Sequence, residues 1–375
     1  MTPVLIDPSG DYQPAGSNIA HDFIAGLADA GVGHMISNVA TQLFLLRSAE
    51  QIFPVTVDDG EIGGSYVCRP HSAYALYARE ELELVNIGAA RLPGIALITF
   101  FDHILRTARI NRVVHLDNWL LSTNLHGDWH GENLPQIRRL LLDRYPQHML
   151  AIRSLDEWSS PGLLQAVRED GWTLIPSRQV WVVNDLQRDW HPRNACGNDK
   201  RALRRSGLSV EMLTNVSESD AKRIADLYHQ LYVGRYSALN PVFTPAYIHL
   251  THRIGMIRYR VARAPDGGIM AVAGMFERAG VMTPPVVGYD HTRPPSEALY
   301  RIACYMFMEW ACEEGLRLHG SAGAAEFKRL RGAHGVIEYC AFYLGHLSSA
   351  RRLVMQTLAE CLERFLVPVM RARGL

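Results

Sequence analysis

Residues 316–340 read LRLHGSAGAAEFKRLRGAHGVIEYC, and this stretch says most about the fold of the chain. Its pattern predicts a short apolar strand over 316–319, a turn of small residues over 320–323, a short basic helix and a second strand from Val336. Small residues let a substrate approach the main chain closely, and the amides at the start of the helix stay free. The turn can therefore hold an anion or a developing oxyanion.

The turn and the basic helix supply the first predicted site residues. Ser321 and Gly323 are predicted to line the site of an activated donor, with Arg331 as a cation for its charge. Lys328 is aimed at the same place. The chain has three lysines against thirty-five arginines, so a lysine here favours a role for an amine that can titrate. The alternative is an ordinary solvated side chain on a short surface helix.

The sequence before this stretch predicts a continuous α/β unit that begins near residue 208. A strand over 208–213 precedes two helices, of which the first is capped by Ser217 and the second opens at Thr244–Pro245. Three antiparallel strands joined by glycine-containing turns follow, and a long helix covers about 296–314. The predicted order is therefore β-α-α-β-β-β-α-β-α-β.

The first half of the chain repeats the later part of this order. Residues 112–187 predict β-α-β-α-β at a spacing of about 175 residues from the second copy, which favours a duplicated fold. A polar, basic segment over 186–207 joins the copies, either as a bridging helix with a binding role or as a solvated connector. An amphipathic helix over 347–370 follows the second copy, and Pro368 is expected to kink or end it.

The element order, together with a small-residue strand end followed by Lys328, resembles the GNAT superfamily of acyltransferases. The two-domain layout resembles its Fem-type branch of aminoacyl transferases. The resemblance implies an α/β (α+β) tandem GNAT-like fold, in which a mixed central sheet is flanked by helices. It implies a degenerate N-terminal GNAT-like domain over 1–187, a catalytic domain over 188–346 and a C-terminal helix over 347–375 that packs on it.

The resemblance also implies an enzyme that joins an activated acyl group to an amine of a small molecule or a peptide-like acceptor. Amide synthesis needs a neutral amine, a group that receives its proton and donors that stabilise an oxyanion. Tyr289 and Asp290 end the last meander strand, where such a fold admits the acyl group, and with Lys328 they are the predicted catalytic residues. An ordinary turn at Asp290–Pro295 is the competing interpretation.

The donor is predicted to be an acyl-CoA co-substrate, with no bound cofactor. The segment 293–301 lacks the glycines with which the GNAT superfamily wraps a diphosphate, although Arg293 and Arg301 can bind phosphate through their side chains. This departure leaves aminoacyl-tRNA open as the donor and tRNA as a partner. It also leaves open a non-catalytic acyltransferase-like module that only binds a ligand.

Two polar segments are predicted to contact the acceptor. The loop over 234–244 suits a substrate lid or a plain turn, and residues 118–124 precede a loop with alternating imidazoles and carboxylates. The predicted acceptor residues are Arg235, Tyr236, Asn240, Asn118 and Asn124. No metal is predicted, because no further cluster completes a shell around His126, Asp128 and His130; a substrate-facing loop is the favoured reading of this run.

Composition sets the remaining expectations. Residues 1–187 carry a net charge of −8 and residues 188–375 one of +8, which indicates either attraction between the halves or a polyanionic partner.

No signal peptide or membrane helix is predicted, so we expect a cytoplasmic protein without a membrane partner. The cysteines carry no CxxC pair and are expected to be buried free thiols. The oligomeric state stays open.

Overall fold

A single mixed sheet of twelve strands runs through the residues that the computed structural model describes, which are 2–10, 12–14, 16–84 and 91–373. Its strands are Val4–Ile6 (β1), Gln42–Ser48 (β2), Gln51–Asp59 (β3), Arg112–Leu116 (β4), Met149–Leu155 (β5), Thr173–Val183 (β6), Ser209–Met212 (β7), Arg258–Arg263 (β8), Ile269–Arg278 (β9), Val281–Tyr289 (β10), Arg317–His319 (β11) and His334–Tyr343 (β12).

Helices cover both faces of this sheet. The α-helices are Ile19–Ala30 (α1), Val32–Met35 (α2), Ala78–Leu84 (α3), Arg91–Thr107 (α4), Leu134–Arg144 (α5), Pro161–Glu169 (α6), Leu186–Asp189 (α7), Asn194–Ser206 (α8), Glu218–Tyr228 (α9), Pro245–Arg253 (α10), Leu299–Glu313 (α11), Ala325–Arg329 (α12), Ser349–Cys361 (α13) and Val367–Arg373 (α14). Three wider π-helical turns cover Ser72–Tyr77, His229–Val233 and Leu362–Leu366, and a 3₁₀ turn covers Pro295–Glu297.

The element orders predicted from the sequence are confirmed in both halves. The second half runs β7-α9-α10-β8-β9-β10-α11-β11-α12-β12, and the first contains β4-α5-β5-α6-β6. The predicted mixed α/β architecture is therefore confirmed. The final helix is not continuous, because a π-helical turn separates α13 from α14 just before Pro368. Proline lacks the amide proton and crowds the preceding turn, which accounts for the wider turn at this place.

The two halves of the chain exchange their last strands. The sheet order is β1-β2-β3-β4-β5-β12-β6-β11-β10-β9-β8-β7, so each half supplies five consecutive strands and then a sixth that crosses to the other half. β6 pairs antiparallel with β11 and β12, and β12 pairs antiparallel with β5 and β6. The predicted boundary at residue 187 follows β6, a strand whose two neighbours both come from the second half.

Alternation along β9 separates the two apolar layers of the second half. Val272 and Phe276 join the layer formed with α9 and α10, whereas Ala271, Ala273 and Met275 join the layer formed with α11. Such alternation is expected because successive side chains of a strand point to opposite faces. Helix α11 is apolar over most of its circumference, and it is accordingly buried against β9 and β10.

Helix α1 at the start of the chain packs on the second half. Its buried residues Phe23, Ile24 and Leu27 belong to the same apolar cluster as Tyr247 and Ile248 of α10. The Phe23 and Tyr247 rings meet edge to face at a centroid distance of 6.3 Å. The first half therefore contributes to the core beneath α9 and α10, and the two halves are joined by packing as well as by strand exchange.

A wedge opens between the parallel strands β10 and β11. Their pairing is limited to Val281 with Arg317 and Met282 with Leu318. His319, the last residue of β11, pairs with β6 and not with β10. A bulge interrupts the pairing of β10 with β9 at residues 283–286, where Pro284 and Pro285 have no amide protons for a ladder. Seven residues of β10, from Thr283 to Tyr289, thus extend beyond its last pair with β11.

Helix α9 crosses the far end of β10 at Gly288. A Cβ atom added there would lie 2.5 Å from the carbonyl carbon of Leu227 and 2.7 Å from the amide nitrogen of Tyr228. Both are main-chain atoms, so the helix itself would have to move. Glycine therefore sets the distance between α9 and the strand that forms one side of the wedge.

None of the helices among the described residues is long and apolar enough to span a membrane. The six cysteines are free, as predicted; five are buried and Cys361 is partly buried.

We expect Gly288→Ala to lower the free energy of unfolding by at least about 2 kcal/mol, because the new methyl group overlaps the main chain of α9. Gly197→Ala is the matched control. Gly197 lies within α8 and has no atom within 4 Å of an added Cβ, so alanine should stabilise the helix by about 1 kcal/mol. Urea denaturation of the three proteins measures both values. Equal stability of Gly288→Ala and the parent would show that α9 does not lie this close to β10.

Candidate active site

The ammonium group of Lys328 closes the small-residue turn that follows β11. Its Nζ donates to the carbonyl oxygens of Gly320 at 2.7 Å, Ser321 at 3.2 Å and Ala322 at 2.7 Å. A lysine has three donors and no acceptor, so all of its protons are used when it is charged. The structure thus gives Lys328 a defined task, which is to hold three carbonyls of one turn together.

The pKa of Lys328 lies close to neutral pH. Burial lowers its pKa to about 7, and the neighbouring Arg178 guanidinium acts in the same direction. The three carbonyl acceptors favour the charged form in return. A lysine with such a pKa can exchange a proton near neutral pH, and its neutral form leaves one carbonyl of the turn without a donor.

Both halves of the chain fix the turn. The amide of Trp181 on β6 donates to the Ser321 carbonyl at 3.0 Å, and the hydroxyl of Thr123 donates to the Ser321 hydroxyl at 3.0 Å. The Ser321 amide donates to Nδ1 of His319 at 3.2 Å. Ser321 and Gly323 have φ values of +58° and +75°, and Gly323 is exposed. The predicted donor residue Ser321 is therefore tied to the first half, whereas Gly323 faces solvent.

A buried ion pair joins the exchanged strands beside this turn. Arg178 of β6 and Glu338 of β12 are directly opposed, with Nε to Oε1 at 2.9 Å and Nη2 to Oε2 at 3.2 Å. Arg178 also donates to the Thr123 hydroxyl at 2.9 Å. Burial disfavours the charge of Arg178, but Glu338 outweighs this effect and raises its pKa. Sequence reasoning missed both residues, although a charge within an otherwise apolar strand is a readable signal.

Aromatic rings line both sides of the wedge. Tyr228, Tyr232 and Tyr236 form a ladder with centroid distances of 5.0 and 6.2 Å, continuing from α9 through the π-helical turn. Tyr300 lies 5.8 Å from Tyr289 and 5.0 Å from Phe327 in the opposite group. Burial raises the pKa of Tyr232, so its hydroxyl stays neutral. π-helical turns often mark functional places, and the one that carries Tyr232 packs on β10.

Tyr289 stands at the mouth of the wedge, as its position at the strand end predicts. Its hydroxyl accepts a hydrogen bond from Nη1 of Arg235 at 3.2 Å, and its ring lies 4.2 Å from the His291 ring. Arg235 and Tyr236 are exposed there, so the structure brings these predicted acceptor and catalytic residues together. Burial lowers the pKa of His291, whose buried Nε2 has no hydrogen-bond partner among the described residues.

Asp290 is held in a turn. Its Oδ1 accepts from the amide and hydroxyl of Thr292 at 2.9 and 2.6 Å, and its Oδ2 accepts from Nη2 of Arg223 at 2.7 Å. Burial works to raise the pKa of Asp290, but these hydrogen bonds and the Arg223 charge outweigh it, and the net shift is downward. A carboxylate with a lowered pKa is a weak proton acceptor. The geometry favours the turn interpretation of this residue over the catalytic one.

The arginines that the sequence assigned to phosphate binding are ion-paired. Asp199 of α8 is fully buried and accepts from Arg331 at 2.7 and 2.9 Å and from Arg301 at 2.8 Å. Arg293 pairs with Glu297 at the surface, at 2.7 Å. The Asp199 cluster joins α8, α11 and the residues after α12. Arg331 thus serves to hold the connector helix, and Arg301 keeps its outer nitrogens free of described partners.

The predicted acceptor residues Asn118, Asn124 and Asn240 are buried and serve the fold. Asn118 donates to Thr56 and to the Val67 carbonyl, both at 2.9 Å. Asn124 receives the amide of Trp119, at 3.2 Å. These amides face the interior because they satisfy main-chain groups of loops, so a contact with an acceptor would need them to leave those partners.

The loop over 234–244 is fixed to the first half. Asn240 donates to the Tyr232 and Ser237 carbonyls at 3.1 Å and accepts from the Tyr66 hydroxyl at 3.0 Å. Asn38 donates to the Asn240 carbonyl at 2.7 Å. These bonds hold the later part of the loop in place, and the structure therefore does not support a lid over it.

The run from His126 to His130 does not present its side chains to one side. His126 is buried, bonding Asp117 through Nδ1 and the Arg153 carbonyl through Nε2, both at 2.8 Å. Asp128 and His130 are exposed. In the part of the chain that the structure describes, no three residues of the His, Cys, Asp and Glu types are grouped as metal ligands.

Solved structures with a similar chain path include the L-PGS of Bacillus licheniformis, at 12% identity over 66% of this chain and 82% of that one, with a TM-score of 0.47. FemX has 8% identity over 80% of this chain and 83% of its own, with a TM-score of 0.45. A tandem GNAT protein from the clavulanic acid biosynthesis pathway has 10% identity over 92% and 99%, with a TM-score of 0.38.

No curated protein matches the sequence. A family model described as an acetyltransferase (GNAT) domain matches residues 192–329. That range begins before α8 and ends with α12, so it contains the wedge, the aromatic ladder and Lys328. The match agrees with the element order of the second half. Residues 192–329 therefore form a domain of the GNAT superfamily.

Proposed function

We propose that this protein is an N-acyltransferase that moves an acyl group from an activated donor to an amine in the wedge between β10 and β11. The observation that carries the proposal is the early parting of these two strands within a GNAT domain. Beyond Met282 no described residue of β11 pairs with β10, so main-chain groups on that side of β10 are available to a ligand. Such amides are preorganised donors for an oxyanion.

Lys328 is proposed as the group that receives the proton of the attacking amine. It lies on α12 and bonds the turn after β11, and its pKa of about 7 leaves much of it neutral at neutral pH. Proton acceptance by Lys328 restores its third hydrogen bond to the turn, which stabilises the protonated state. Tyr289 at the mouth is proposed to orient the acceptor through its hydroxyl.

An acyl-CoA thioester is the proposed donor, which is the usual donor of the superfamily. Helix α11 starts at Leu299 without a side-chain cap, so its first amides remain available to phosphate oxygens. Arg301 adds a cation at the same helix start. The acceptor is proposed to be a small molecule or a peptide-like amine.

Aminoacyl-tRNA is the second candidate donor, and one observation favours it. Lys200, Arg201, Arg204 and Arg205 of α8 are exposed and form a basic face on the connector between the halves. A run of cations of this kind can follow a nucleic acid backbone. The Arg293–Glu297 pair at residues 293–297 also places a carboxylate where a diphosphate would be wrapped in the superfamily.

We expect Lys328→Ala to lower kcat by about 100-fold or more, because both the proton acceptor and the closure of the turn are lost. The variant Lys328→Arg separates the two roles of this residue. It keeps a cation that can donate to the three carbonyls, but it cannot lose a proton near pH 7. It should retain stability and lose activity. The parent rate should rise as the pH increases through about 7, where Lys328 loses its proton.

Arg329→Ala, at an exposed position next to Lys328, serves as the control and should leave the rate unchanged. Initial rates from pH 5.5 to 9 and urea denaturation separate chemistry from folding. Full activity of Lys328→Arg with an unchanged pH profile would remove Lys328 from proton transfer and leave it a structural lysine.

Asp290→Asn is expected to change stability and not the pH profile of the rate. Because the pKa of Asp290 is lowered on folding, the ionised carboxylate stabilises the fold at neutral pH, and this contribution is lost as the pH falls through the folded pKa. Asparagine should cost about 1 to 2 kcal/mol at pH 7 and much less at pH 3. Urea denaturation at both pH values measures the difference, and a flattened rate profile would return Asp290 to the mechanism.

Mass spectrometry after separate incubation with acyl-CoA mixtures and with charged tRNA identifies the donor that loses its acyl group. We expect turnover of acyl-CoA, with an apparent affinity that changes little between about 50 and 200 mM salt because few phosphates are held. Replacing the four basic residues of α8 by alanine should have little effect. A steep salt dependence that this fourfold change abolishes would instead assign the tRNA donor, and ligand binding without any turnover would indicate a binding module.

A further inference from the structure

We infer that Arg153 forms an anion-binding subsite in a cleft between the two halves and holds the carboxylate of the amine acceptor. The inference rests on the proposed acyl transfer and names a substrate class for it. Acceptors would be amines that also carry a carboxylate, as amino acids and peptides with a free C-terminus do.

Arg153 uses only one edge of its guanidinium within the protein. It lies on β5, beyond the last residue that pairs with β4, which is Ala151. Its Nη1 donates to the Val67 carbonyl at 3.0 Å, to Asn118 Oδ1 at 3.2 Å and to the Leu121 carbonyl at 3.3 Å. Nε and Nη2 have no partner among the described residues, and neither is sealed from solvent. These two nitrogens form the edge that binds carboxylates with two parallel hydrogen bonds.

The charge of Arg153 has no carboxylate at ion-pair distance in the described part of the chain. Other buried arginines have carboxylate partners, as Arg69 has Asp58, Arg178 has Glu338 and Arg331 has Asp199. Within the described residues no carboxylate pairs with Arg153 in this way. Burial lowers its pKa, and Arg178 nearby acts in the same direction. A partly buried cation in this situation is stabilised by any anion that can reach its open edge.

Aromatic side chains surround the open edge. The Arg153 guanidinium carbon lies 6.0 Å from the centre of the Tyr66 ring, which meets the Tyr77 ring at 5.4 Å. Tyr77 comes from the first π-helical turn and Tyr66 is tied to Asn240 in the second half. Arg153, Tyr66 and Tyr77 are each partly accessible to solvent.

Residues 121–123 connect Arg153 with the turn that Lys328 holds. Arg153 donates to the Leu121 carbonyl at 3.3 Å, and Thr123 donates to Ser321 of that turn while accepting a hydrogen bond from Arg178. The charge of Arg178 is balanced by Glu338. In the proposed binding mode the acceptor's carboxylate rests on Arg153, and its amine lies near the turn that Lys328 holds.

Glu81 adds selectivity for a ligand with both charges. It lies on α3, contacts solvent and is near Tyr66 and Tyr77; burial by the surrounding protein raises its pKa. A carboxylate at this place disfavours a second anion and favours an ammonium group. With Arg178 neutralised by Glu338, the open cation of Arg153 and the carboxylate of Glu81 complement a zwitterionic acceptor better than a plain amine.

The test compares amino acids and short peptides with their C-terminal amides, at a fixed donor concentration. The free acids should have kcat/KM values at least about tenfold above those of the amides, because only they form the charge-assisted pair with Arg153. Arg153→Gln should abolish this ratio by raising KM for the acids. Arg139→Gln, an exposed arginine of α5, is the matched control and should keep it. Equal values for acids and amides with the parent protein would overturn the inference.

Calorimetric titration of the same acids and amides without a donor separates this inference from the proposed function. If no donor is ever consumed, acyl transfer fails, while acid-selective binding that Arg153→Gln removes would still support the subsite. Arg153→Lys keeps the positive charge but loses the two parallel donors of the guanidinium, so it should bind the acids more weakly than the parent does. Because it keeps the charge, this variant also controls for a folding defect in Arg153→Gln. Phosphoethanolamine is included, and tighter binding of it than of any carboxylate would overturn the carboxylate assignment.

Discussion

The exchange of β6 and β12 is the constraint on which the rest of this structure depends. Both neighbours of each exchanged strand come from the other half, because β12 lies between β5 and β6, and β6 lies between β12 and β11. Neither half can complete its own sheet, because the strand that pairs with the edge of its fifth strand comes from the other half. The turn that carries Lys328 shows the consequence, since Trp181 of β6 and Thr123 of the first half both bond Ser321. The site of the second half is thus assembled by the whole chain.

Charges at the centre of the exchange follow from the same constraint. Arg178 and Glu338 face each other on the two exchanged strands, where an unpaired charge would be strongly destabilising. Their pairing requires β6 and β12 to be in one register, because a slip of either strand by one residue would place the two side chains on opposite faces of the sheet. The segment matched as a GNAT domain ends at residue 329, before β12, and begins after β6. Two strands next to the candidate site therefore lie outside the matched segment.

The sequence predicted elements well because helices and strands depend on local patterns. Ser217 caps α9 as expected, and the small residues at 320–323 form the predicted turn with Lys328 against it. Strand exchange was not predictable, since neither β6 nor β12 carries a local signal that selects its partner. The predicted ligand-binding roles of Arg331 and Asn240 are not supported for the same reason. Arg331 bonds Asp199 and Asn240 bonds Tyr66, and both partners lie far away along the chain. Polar residues in loops were assigned to substrate because their distant structural partners were not visible.

The two halves differ at the places where their parallel strands part. β4 and β5 separate after three paired residues, much as β10 and β11 separate after two. In the first half the opening is bridged by Arg153 and Asn118, whose contacts with each other and with Val67 fill it with polar groups. In the second half the opening is lined by tyrosines and remains free of strand partners. The two parting points therefore differ in chemistry, one crossed by polar hydrogen bonds and the other without them among the described residues. Arg178 of the exchanged strand β6 bonds Thr123, which in turn bonds Ser321, so one hydrogen-bond network beside the candidate site draws on both halves.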